Sequence, residues 1–144
     1  MSDLKRLKDI HAQNLAVTRP LFLREFAAAF GDDYLTVTLN PSVDFYTRWN
    51  ELAEIEDRAR QGVQTLTAEL IEKPDTARQI EITNEIQALN SEHRILANEL
   101  LAQLWDCDID AVDSIREHSL ELFNWCITEA FRMIGAYGAQ RKKN

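Results

Sequence analysis

Glycine and proline are scarce in this chain, four and three residues out of 144. These residues punctuate turns and interrupt regular structure, so their shortage argues against a loop-rich or many-stranded fold. Two cysteines, Cys107 and Cys126, are too few for a disulfide framework or a thiolate metal centre. No run of about 18 uncharged apolar residues occurs, which excludes a membrane-spanning helix. Positive charge is also short: 16 Lys and Arg stand against 24 Asp and Glu, a formal charge of −8. A surface of that sign repels phosphate backbones and anionic lipid, so neither nucleic acid nor a membrane is the expected partner. The one basic cluster, Arg141-Lys142-Lys143, suits the C-terminal end of a helix dipole. Residues 1–16 are charged throughout and lack the apolar stretch of a signal peptide, so the expected location is a reducing cytoplasm.

What remains is rich in Leu, Ala, Glu, Gln and Arg, the residues that lose least on entering a helix. With 45% hydrophobic residues, the expectation is one all-α domain over 1–144 with a real core. Residues 1–31 read as two N-terminal helices. The first, over 3–16, places Leu4, Leu7 and Ile10 on one face. In the second, Thr18 is a candidate N-cap, Pro20 suits the first turn, and Phe22, Phe26 and Phe30 recur at spacings of four before Gly31. Segment 33–39 alternates Tyr34, Thr36, Thr38 with Leu35, Val37, Leu39 and is the one extended stretch. With no second strand in view, it is expected to be a connector.

Residues 42–72 and 76–105 carry two heptad-like seams. Phe45, Trp49, Leu52, Glu56, Ala59, Val63, Leu66 and Leu70 form the first; Ile82, Ile86, Leu89, His93, Leu96, Leu100 and Leu104 form the second. Lys73-Pro74-Asp75 separates them and resists helix continuation. Folded antiparallel about that turn, Leu66 meets Ile82, Val63 meets Ile86, Ala59 meets Leu89, Leu52 meets Leu96 and Trp49 meets Leu100. The off-pattern Glu56 and His93 then face each other as a structural polar layer. Extra apolar residues near the base, among them Val43, Tyr46, Ile55, Ile95 and Trp105, are expected to pack on the C-terminal helix over 113–138. That helix exposes only the stripe Glu121, Asn124, Thr128 and Arg132, with Glu129 at its edge. Residues 139–144 read as a basic tail.

Residues 106–117 form an acidic stretch read as a loop. Asp106, Asp108, Asp110, Ser114 and Glu117 place oxygens where a calcium loop needs them, but Ala111 stands where that loop requires glycine. The same residues serve equally as helix caps, with Asp113 or Ser114 starting the last helix. No metal and no cofactor is therefore expected. No phosphate-binding glycine loop, nucleophile elbow or paired acid–base set occurs, so no enzymatic activity is expected.

From Leu35 onward the order of elements resembles the tail assembly chaperones of long-tailed, siphophage-type bacteriophages. The resemblance rests on Leu35-Thr36-Val37-Thr38-Leu39-Asn40-Pro41, on the helix ending in Leu104-Trp105-Asp106, on the acidic stretch through Asp113, and on the final helix. Such chaperones are made in two forms by a ribosomal frameshift, and codons for Lys142-Lys143-Asn144 are compatible with an A-rich slippery stretch. The resemblance implies a non-enzymatic protein of the bacterial host cytoplasm. Its partners would be the tape-measure protein and the tail-tube protein, and it is expected to form a homo-oligomer. Trp49, Trp105, Phe123, Trp125, Phe131 and Tyr137 are the candidate contact residues, each also of a kind that a core buries. An oligomerising structural or scaffold component of a virion, or a small helical interaction module, are the other readings.

Overall fold

The computed structural model describes residues 16–72 and 75–143, without the side chains of Lys142 and Lys143. The helix expected over 3–16 and the Lys73-Pro74 turn thus fall outside the described residues, Ala16 excepted. The chain forms two compact units: Ser42–Leu100, and Met1–Pro41 together with Leu101–Asn144. It is an all-α fold with one small two-stranded sheet.

The first unit is the helical hairpin. Helix α1 (Val43–Glu72) starts where the Ser42 Oγ accepts the Phe45 N–H at 3.2 Å. Helix α2 (Thr76–Leu104) starts where the Asp75 carboxylate accepts the N–H groups of Ala77 and Arg78 at 3.1 and 3.3 Å. The antiparallel register is the expected one. Arg48 reaches Glu99 at 2.8 Å, Glu56 reaches His93 at 2.9 Å, and Glu69 reaches Arg78 at 3.4 Å.

The line of α1 that faces inward differs from the sequence expectation by one residue over much of its length. Phe45, Leu52 and Ile55 are buried, and Ala59, Gly62 and Leu66 half-buried. Glu56 and Leu70 face solvent, and Val63 is 49% exposed. Gly62, not Val63, therefore lies against Ile86: a Cβ on Gly62 would sit 2.9 Å from Ile86 Cγ1. A helix of 3.6 residues per turn drifts by about 20° per heptad against a 3.5-residue repeat, which is enough to exchange neighbouring positions. The Glu56–His93 pair accordingly bonds across the rim of the seam, with Glu56 exposed and His93 half-buried. Val43, Tyr46 and Ile95, expected at a packed base, are exposed.

The second unit contains the sheet and two helices. Strand β1 (Thr18–Phe22) pairs antiparallel with β2 (Tyr34–Thr38), with Pro20 opposite Thr36. The expected second N-terminal helix does not form: 3-10 turns at Leu23–Glu25 and Ala28–Phe30 and a bend at Gly31, with φ of 57°, join the strands. The expected lone connector is thus half of a β-hairpin. Proline is tolerated because each strand of a two-stranded sheet is an edge. Leu21, Leu23, Val37 and Leu39 are buried, each contributing about 1.5–3 kcal/mol over exposure.

The expected single helix over 113–138 is two helices. Asp108 caps α3 (Ile109–His118) by accepting the Ala111 N–H at 2.8 Å. At Ser119 the backbone is extended, with φ of −163°, and its Oγ accepts the Leu122 N–H at 3.2 Å to start α4 (Leu120–Lys143). Neither Asp113 nor Ser114 caps the last helix, and the basic tail is helical as far as Lys143. Leu122, Phe123, Cys126, Ala130 and Met133 form the buried face of α4, and Glu121, Asn124, Thr128 and Arg132 are exposed; the stripe is not the only exposed part, because Leu120, 64% exposed, and Ala136 also face solvent. The last turn of α2 shares this unit, and Trp105 meets Phe123 edge-on with ring centroids 5.9 Å apart.

Candidate functional site

The acidic stretch does not form a calcium loop. Asp110, Ser114 and Glu117 lie on helix α3, Asp108 is spent on capping, and the Ser114 hydroxyl donates to the Asp110 carbonyl at 2.9 Å. Once 109–118 is helical, these oxygens project around a cylinder and do not converge. Among the described residues no group of three or more His, Cys, Asp or Glu side chains is placed to hold a metal ion. Asp106 has φ of 45°, the left-handed turn that leads α2 out of its last turn.

The aromatic candidates divide by burial. Trp105 is 1% exposed and Phe123 7%, so both are core. The Trp105 indole N–H is buried without a hydrogen-bond partner among the described residues. Trp125 is half-buried against Phe26, with ring centroids 5.6 Å apart. Trp49 is half-buried and stacks on Phe45 at 5.8 Å. Phe131 and Tyr137 are half-buried on α4, and the Arg141 guanidinium lies 5.8 Å from the Tyr137 ring centre. Trp49 belongs to the hairpin unit and the other five to the second unit.

Neither cysteine is primed for chemistry. Burial pushes the Cys126 thiol up to about 12. The Cys107 thiol is raised as well, first by burial and then by the Asp108 and Asp106 carboxylates. A thiol held neutral is a poor nucleophile.

Most of the exposed large apolar side chains are on the hairpin, although Tyr34, Ile109 and Leu120 of the second unit are exposed too. Val43, Val63, Leu70, Ile71, Ile80 and Ile95 are all exposed, Ile71 at 79%. Ile95 precedes the inward-facing Leu96 by one residue, which turns it about 100° around the helix toward solvent. Beside it lies a shallow, open groove of about 530 Å³, lined by Ala88, Ser91, Ile95 and Leu96 and by the acidic Glu51, Glu92 and Glu99. A smaller recess at the tip is lined by Glu69, Glu72, Asp75 and Arg78. The Glu69 carboxylate raises the Arg78 guanidinium further above its ordinary value, with Glu81 assisting.

The groove was not legible as a seam position. Its trace in the sequence is the outer line Ala88, Ser91, Ile95, uncharged at spacings of three and four. Compared with known proteins, the chain matches no family model, no curated protein and no solved structure.

Proposed function

We propose that the chain is a non-enzymatic tail assembly chaperone of a long-tailed bacteriophage. In this reading it works in the cytoplasm of the bacterial host, holds the helical tape-measure protein and helps recruit tail-tube subunits to it. The observation that carries the reading is the hairpin surface: an acidic pair of long helices presenting large apolar side chains that nothing within the described residues covers. A protein that keeps an aggregation-prone helical client soluble needs apolar surface to grip it and net charge to stay dispersed. The placement of Leu35-Thr36-Val37-Thr38-Leu39 before the hairpin, and of Trp105-Asp106 at the end of α2, agrees with the order of elements in that family. A homo-oligomer is part of the proposal, with Leu70, Ile71 and Ile80 near the hairpin tip as its contact.

Co-expression with tape-measure and tail-tube proteins tests the reading. The expected result is co-purification of the tape-measure protein, with more of it soluble than when it is expressed alone. Failure to retain any tail protein, or presence of the chain in mature particles, overturns it in favour of a structural virion component.

A further inference from the structure

We infer that the groove beside Ile95 is the docking site for one amphipathic helix with a basic flank, contributed by a partner protein. Its lining on α2 admits close approach. Ala88 and Ser91 are small and exposed, and Ile95, 59% exposed, offers an apolar anchor on the same line of α2. A helix laid along this line meets small residues where its own apolar side chains need space, the arrangement of helix-in-groove recognition.

The charge in the lining selects the occupant. Glu99 is paired with Arg48, but Glu51 and Glu92 have no ion-pair partner among the described residues. Helix α1 carries seven carboxylates and three arginines, and α2 four and two, a surplus of six negative charges. A second copy laid on the same face would bring its own Glu51 and Glu92 against these and be repelled. Lys or Arg flanking an apolar line answers both features at once. The inference rests on the chaperone reading for the source of that helix, a client protein, but not for the chemistry of the groove.

The test uses the full chain and two synthetic fluorescent helical peptides. Both have leucines at i, i+3, i+4 and i+7; one has Lys and Arg flanks and the other Glu flanks. The basic peptide is expected to bind at least about tenfold more tightly, and to weaken as salt rises from about 50 to about 500 mM. Ile95→Asp and Glu92→Lys are each expected to reduce its affinity by about fivefold or more without loss of helicity, both side chains being exposed. Gln64→Asp, at an exposed position of α1 outside the groove, should leave affinity unchanged. Equal binding of the two peptides, absence of binding, or binding indifferent to Ile95→Asp and Glu92→Lys overturns the inference. So does a dimer in sedimentation that Ile95→Asp dissolves, since a second copy then fills the groove. The two readings fail separately. A tape-measure protein captured equally by the Ile95→Asp variant refutes the groove alone; peptide binding without capture of any tail protein refutes the chaperone alone.

Discussion

At the scale of single residues, burial separates side chains that look alike in sequence. Trp105 and Trp49 are both tryptophans on an apolar helix face, yet Trp105 is buried against Phe123 and Trp49 half-buried on Phe45. Trp105→Ala is therefore expected to cost about 3–5 kcal/mol in urea unfolding, and Trp49→Ala clearly less. A buried indole N–H without a partner is itself a cost of about 1–3 kcal/mol, so Trp105→Phe should be much milder than Trp105→Ala. The cysteines give a second test. At pH 8 the native Cys126 thiol should resist alkylation, and Cys107 should react slowly; denaturant should make both fast, as followed by mass spectrometry. Because the Cys126 value is raised on folding, its contribution to stability is complete below the unfolded value of 9.0 and is lost as pH rises toward about 12.

At the scale of elements, the hairpin register follows from sequence because two apolar repeats can interlock antiparallel in few ways. The rotation of α1 about its own axis does not, since Val63 and Gly62 are neighbours and hydrophobicity favours the wrong one. Gly62→Ala makes this measurable. On helix propensity alone alanine gains about 1 kcal/mol. With a Cβ placed 2.9 Å from the branched Ile86 side chain, the variant is instead expected to be no more stable than the parent in thermal melts. Adding Ile86→Val should recover part of any loss. The Glu56–His93 pair, at the seam's rim with 57% and 29% of the side chains exposed, should show a coupling of about 0–1 kcal/mol in a double-mutant cycle. A much larger value would mean a desolvated pair. The β-hairpin shows the opposite failure. Phe22, Phe26 and Phe30 have helical spacing, but Phe22 lies on Tyr34, Phe26 on Trp125 and Phe30 on His118. Three separate ring contacts outweigh a weak local preference.

At the scale of the whole molecule, the formal charge of −8 and the exposed apolar residues near the hairpin tip oppose each other in association. The proposed homo-oligomer should therefore strengthen with salt, as an apolar contact between like-charged copies does. Leu70→Ser, Ile71→Ser and Ile80→Ser together should yield a monomer in sedimentation velocity while melting within a few degrees of the parent, because all three are exposed. If the triple variant still associates, the tip is not the contact.

The sequence by itself determined the all-α class, the antiparallel hairpin with its register, and the solvent stripe of α4. These depend on periodicity and on residue numbers that match across a turn, both local properties of the chain. Tertiary structure alone decided that segment 33–39 pairs with Thr18–Phe22, that the acidic stretch becomes α3, and that Ser119 divides the final apolar run. Each of those choices trades a modest local propensity against burial of side chains from distant positions, and burial is worth more per residue. The same competition shapes the groove. Ile95 was expected to pack at the hairpin base; once Leu96 turns inward, Ile95 is left at the surface beside the unpaired carboxylates of Glu51 and Glu92.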